Sequence, residues 1–369
     1  MKKILFASVL LVLVSATLFY PSFAADGAMH GLRLCGNILI PSLFPYMVIS
    51  AWAVGKNAFA ALGKLLKLPL RFIFNMPPTS ISPILIGWLC GYPAGIRAAA
   101  KEYEYGNLSK KEAERLMTFC ACISPQFAIG VIGSSLFSRN YVGVCIYIGA
   151  LISAIVTGVA IGLHSRLDKE KERVVKLGEV DISFTEAIAD GTDGMIKICA
   201  LTVFFAALLG VAEGSGLLKT VSFWLSARIP QLGDSFWRSI VKGFVELTSG
   251  VADGASVSGG FFICAMLAGF GGLCVITQCT ALTRTKRGRL NILPMIASRL
   301  VQGVLTPVFA SMLLRLDKSS ASVFSFGVNS AFKIGVDNIP AAVIMLMTAA
   351  VVILKGIRDG VGGDGRVKR

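Results

Sequence analysis

The sequence predicts an all-α integral membrane protein, a multi-pass helical bundle. Three observations carry that reading: long uncharged apolar runs, charges confined to short islands between them, and a mean hydropathy of +0.72. Of 369 residues, 54% are hydrophobic and 15% charged, whereas a soluble domain carries about a quarter charged residues to keep its surface wet. Leu34 to Gly55, Phe72 to Ile96, Leu116 to Ser138, Tyr141 to Leu163 and Gly254 to Thr283 hold no charge at all. About 20 apolar residues make a helix that crosses the hydrocarbon core. Inside the bilayer, peptide groups find no water, so these runs must be helical, or irregular only where protein shelters them.

The net charge of +15 does not indicate nucleic acid, because the basic residues sit in connectors. Lys56, Lys64, Lys67 and Arg71 form one island, Arg284, Lys286, Arg287 and Arg289 another, and the tail ends with Arg366, Lys368 and Arg369. The excess of Lys and Arg in cytoplasmic loops places these segments in the cytoplasm, beside the anionic inner leaflet. The nine cysteines lie in or at apolar runs and read as small apolar residues. With no C-x-x-C and only His30 and His164, no metal site of usual spacing is expected, and no cofactor. Nucleotide-binding, zinc-protease and serine-hydrolase motifs are absent, so an enzyme is not expected.

The N-terminus reads two ways. Lys2 and Lys3, the apolar stretch Ile4 to Tyr20 and Ser22-Phe23-Ala24 resemble a signal peptide. The same stretch is long enough for a first membrane helix, and an uncleaved helix is the favoured reading.

Further along, one pattern occurs twice. In the first half a span (Leu34 to Gly55) and a basic connector precede two runs broken by Gly and Pro (Phe72 to Ile96, Leu116 to Ser138), then a clean span (Tyr141 to Leu163). In the second, a span from about Met195 to Ala212 and a connector with Lys219, Arg228, Arg238 and Lys242 precede broken runs (Gly243 to Val257, Ser258 to Thr283) and a span from Asn291 to Leu314. The units are therefore 1–33, an N-terminal membrane helix and connector; 34–163, a first repeat; 164–187, a charged linker; 188–316, a second repeat; and 317–369, a helix over Ile339 to Leu354 with a basic tail. Interrupted hydrophobic segments at corresponding positions of two halves point to a transporter site near the midplane. Kinked packing helices are the blander alternative.

Polar residues at membrane depth are costly and tend to face a cavity. Glu246, followed by Thr248, Ser249 and the helix-breaking Gly250, is a candidate for binding a solute, a coupling proton or a cation; a solvated position at the interface is its alternative. Gln126 and Gln278 occupy equivalent places in the second broken runs and suit either a polar ligand or interhelical hydrogen bonding. Arg299 reads as counter-ion to an acid or an anionic ligand. Asp190 and Asp193 open a helix and are explained by its dipole.

The segment Gly87-Trp-Leu-Cys-Gly-Tyr-Pro-Ala-Gly95 resembles that of the sporulation integral membrane proteins called YlbJ. So do Leu108-Ser-Lys-Lys-Glu-Ala-Glu-Arg-Leu116, Ser124-Pro125-x-Phe127, Pro41-Ser-Leu-Phe-Pro45, Glu246-Leu-Thr-Ser-Gly250 and Gly271-Gly272 followed by Gln278. The similarity runs in order from about Leu34 to Leu314. It implies a Gate, or nucleoside-recognition, domain similar to nucleoside transporters built from inverted repeats with re-entrant hairpins. It also implies a role in moving dipicolinic acid across the outer forespore membrane, and adds Tyr92 and Ser124 to the substrate-binding candidates. This chain departs from the family pattern at Ser249, where asparagine is usual, and at Ile123-Ser124-Pro125, where the family has serine-glycine-proline.

The expected function is thus a membrane transporter for a small polar or anionic solute. Its partners are that solute, the lipid bilayer and a coupling proton or cation, and self-association into a homo-oligomer stays open. The alternative is a non-transporting membrane scaffold of a spore or envelope complex.

Overall fold

A computed structural model describes residues 2–167 and 182–316. The middle of the charged linker, the helix expected over Ile339 to Leu354 and the basic tail lie outside the described residues.

α1 (Lys2–Phe19) and α2 (Pro21–Leu34) meet at Tyr20, where Pro21 starts the second helix and the axis bends by 99°. A π-helical turn, Cys35–Leu39, passes α2 into α3 (Ile40–Gly55). The helix therefore starts well before Leu34, the expected start of the span, and runs through Asp26, His30 and Arg33. It can do so because Gly31 lets α2 lie on a later helix, where an added Cβ would stand 2.8 Å from the Val203 Cα. α4 (Ala60–Leu65) and α5 (Lys67–Phe74) carry the first basic island. α6 (Ile81–Cys90) and α7 (Tyr92–Glu104) fold back on each other at Gly91. α8 (Lys110–Cys120) opens with a Ser109–Glu112 capping box and stops before Ser124-Pro125. A π-helix, Gln126–Leu136, and α9 (Asn140–Leu167) complete the first half.

The second half begins with α10 (Phe184–Gly214), longer than the expected Met195 to Ala212 because a Ser183–Glu186 capping box starts it inside charged sequence. α11 (Leu217–Arg228) follows, then α12 (Gly233–Val245) and α13 (Leu247–Ala255), which fold back at Glu246. α14 (Gly260–Phe270) and α15 (Gly272–Leu282) are separated only by Gly271. A two-stranded hairpin of β1 (Arg284–Thr285) and β2 (Gly288–Arg289) leads to α16 (Leu293–Leu314).

Among the described residues four helical stretches are long and apolar enough to cross a membrane, and a fifth if the bent α1–α2 pair is one span. Leu18, Leu65, Phe72 and Phe223 are each about 70% exposed or more. Such outward apolar side chains suit lipid, not water. The protein is an integral membrane protein of the all-α class.

Packing fixes directions. The Tyr141 hydroxyl at the start of α9 donates to the Leu313 carbonyl at the end of α16 (3.0 Å), so these helices are antiparallel. α10 likewise runs against α2 and α3, with Ile182 at Gly55, Gly191 at Val48 and Val203 at Gly31. The two basic islands share one end: Gly63 of α4 packs on Pro78, Thr79 Oγ1 donates to the Asn107 carbonyl (3.3 Å), and Arg287 donates to the Tyr103 carbonyl (2.7 Å). The α6–α7 hairpin enters from that end. The α12–α13 hairpin enters from the opposite end, where Arg238 and Lys242 pair with Glu213 at 3.3 and 2.5 Å. One apolar core, including Phe119, Ile123, Ile263 and Leu267, ties both hairpins to the spans.

Candidate functional site

Four interruptions of helix meet in one place. Gly91, at the tip of the first hairpin, has φ +102°, which favours glycine. It packs on Ser124, whose Cβ would lie 3.3 Å from an added Cβ. Gly271 and Gly272 (φ +90° and +78°) interrupt the α14–α15 span. On one side Gly271 faces the Tyr92 ring, 3.8 Å from an added Cβ; on the other Gly272 faces the Gly243 carbonyl at 2.8 Å and the Leu247 nitrogen at 3.4 Å. Ser124, Gly91–Tyr92, Gly271–Gly272 and Glu246–Leu247 therefore form a continuous contact from one hairpin tip to the other.

Glu246 is the second tip itself. Its backbone is extended (φ −137°, ψ 116°) and its carboxylate accepts from the Thr248 and Ser249 nitrogens at 2.9 and 2.7 Å. The side chain is 4% exposed. The positive helix end and two backbone donors hold its charge inside protein. The helix breaks here and not at Gly250, which lies within α13 against Gly243. The glycines bring the arms together and the acid makes the turn. Asp253 does not join Glu246; it pairs with the buried Lys242 at 2.7 Å, bracing α12 to α13.

Tyr92 and Arg299 form the other part of the site. Tyr92 is buried at the N-terminus of α7 and its hydroxyl donates to the Ala268 carbonyl. The Arg299 guanidinium carbon lies 5.4 Å from the Tyr92 ring centroid. Arg299 donates to Gln302 and reaches the Gly269 carbonyl at 3.4 Å. Among the described residues no carboxylate pairs with it, so of its two expected roles, counter-ion to an acid or to an anionic ligand, the first finds no partner there. Gln302 was not anticipated, although its place three residues after Arg299 puts it on the same helix face.

The two glutamines are not equivalent. Gln278 is buried and donates to Thr202 Oγ1 at 3.0 Å, linking α15 to α10. Gln126 is exposed at the head of its π-helix. Ser124 is buried, and its hydroxyl accepts from the Phe127 nitrogen at 3.2 Å. The structure thus gathers Ser124, Tyr92, Arg299, Glu246, Thr248 and Ser249 around the interruptions. Gln278 sits further along α15, and Gln126 faces away.

Asp190 and Asp193 do not open a helix as expected, because α10 starts at Phe184 and leaves them beyond its first turn, out of reach of the helix end. The Asp190 carboxylate pairs with Arg97 at 2.7 Å and Lys101 at 3.1 Å, joining α7 to α10. Asp193 pairs with Lys197 at 2.7 Å. A cavity of about 340 Å³ opens beside them, lined also by Glu104, Arg284 and Lys286. Arg97 and Lys101 follow the Gly87–Gly95 motif on α7, yet no local signal marks them; their partner Asp190 is about 90 residues away.

No family model matches the chain and no solved structure matches it. The sporulation integral membrane protein YlbJ of Bacillus subtilis (strain 168) is 22% identical over 340 residues, covering 84% of this chain and 82% of the relative. That length takes in both hairpins and both interrupted spans. Over most of its length the chain is thus distantly similar to a sporulation integral membrane protein.

Proposed function

We propose that this protein is a secondary carrier, not an enzyme, for a small polar or anionic solute, and that its two halves form an inverted repeat of the Gate type. The meeting of four helix interruptions at buried Glu246, Tyr92 and Arg299 is the observation that carries this reading. Each half contributes a span, a hairpin, an interrupted span and a final span, and corresponding spans run in opposite directions. In such an arrangement each hairpin closes the path from its own end, and helix ends and unwound backbone supply the ligand's partners. Dipicolinic acid is the leading solute by resemblance, with the outer forespore membrane as the location and the Arg284–Arg289 end in the cytoplasm. Glu246, held by backbone donors, is the group for a coupling proton or cation.

The test is uptake into proteoliposomes by the full-length protein, with dipicolinate and nucleosides first among the solutes. Wild-type uptake is expected, and its loss in Glu246→Gln with membrane insertion unchanged. An inert wild type would favour the scaffold reading instead, which draws support from the close burial of Glu246 and Arg299.

A further inference from the structure

Arg299 is a charge enclosed by protein with a donor left over. The residue is 3% exposed, and its Nε has no hydrogen-bond partner. Nη2 donates to the Gln302 Oε1, while Nη1 has only the distant Gly269 carbonyl at 3.4 Å. Nε and Nη2 form one edge of the guanidinium, the edge that grips a carboxylate through two parallel bonds. Here one donor of that fork is empty and the other holds an amide oxygen. One face of the group lies against the Tyr92 ring. Burying an ion without its opposite is costly enough that chains rarely retain it without use.

We infer that Arg299 anchors a carboxylate of the carried solute, and that the Gln302 amide oxygen holds the ligand's place when the site is closed. This rests on the carrier reading and names the group that would select its substrates. Gln302 is suited to the exchange. Its Nε2 is tied to the Thr118 carbonyl at 2.9 Å, so releasing Oε1 does not free the side chain. The N-terminus of α7, which begins at Tyr92, adds a second positive pole. The site takes one carboxylate on the Nε–Nη2 edge and rejects its neutral amide, which would set an N–H against an N–H.

Thermal stabilisation of the detergent-purified full-length protein tests the assignment. Small mono- and dicarboxylates, dipicolinate and benzoate among them, are compared with their matched amides. Carboxylates alone should stabilise the wild type. Arg299→Lys, which keeps the charge but not the fork, should weaken the effect about tenfold or more. Gln302→Met, which removes the competing oxygen, should tighten binding about threefold, a gain that misfolding cannot imitate. No stabilisation by any carboxylate, equal stabilisation by the amides, or an Arg299→Lys protein that binds like wild type would overturn the assignment. Parallel uptake measurements separate the two claims. Carboxylate binding without uptake removes the carrier and leaves the anchor; uptake of a neutral solute without carboxylate binding does the reverse.

Discussion

Glu246 turns a hairpin and buries a charge with one carboxylate. Two backbone donors satisfy its oxygens at 2.9 and 2.7 Å, so its substitution has separable consequences. Glu246→Ala leaves both N–H groups unmet and should cost about 1–2 kcal/mol, the usual loss for an N-cap, read as a lower unfolding midpoint in detergent. Glu246→Gln retains one acceptor and should melt closer to wild type while uptake disappears. The Arg97–Asp190 pair makes a different case. Its side chains are 8% and 22% exposed, so breaking it by Asp190→Asn should cost about 2 kcal/mol, less than for a fully buried pair. Replacing Arg97 and Asp190 by Met and Leu should recover part of that loss, because the buried Arg97 charge goes with its partner and Lys101 keeps Glu104 at 3.3 Å; a double variant less stable than Asp190→Asn would count against the pairing.

The hairpins depend on how closely two helices approach. Gly250 faces Gly243 across α12 and α13, and an added Cβ would also meet the Ser239 carbonyl at 3.0 Å. Gly250→Val should therefore destabilise by about 1–3 kcal/mol through overpacking and weaken uptake, because the arms splay. Gly250→Ala should show the same effect more mildly; a Val variant with wild-type melting and transport would separate the hairpin from function. Glycine and proline density made Phe72 to Ile96 legible as a broken element, since proline removes a helical hydrogen bond and glycine frees the backbone. The turn at Glu246 was not legible at its true position. An acid as N-cap is a weak local preference, and here it prevails because Gly243 and Gly250 let the two arms pack.

For the whole molecule, α9 runs against α16 and α10 against α2 and α3, and the two hairpins enter from opposite ends. Single cysteines introduced at the exposed positions Lys64 and Lys286 should react with an impermeant thiol reagent only from one side of the membrane. Those at the exposed Lys219 and Arg228 should react only from the other. Labelling of all four from one side would dissolve the inverted arrangement. Most native cysteines are buried and give little background. The sequence by itself determined that this chain lives in a bilayer, which stretches are helical and where several of them break. Hydropathy, charge spacing and Gly/Pro content act through neighbours along the chain and through the cost of exposing peptide groups to hydrocarbon. Only the tertiary structure decided which interruptions meet, that Gln278 turns inward while Gln126 does not, and that Asp190 belongs to Arg97 and Asp253 to Lys242. Those choices rest on packing between segments far apart in sequence, as with Tyr92 on Gly271, and no local pattern encodes such a contact.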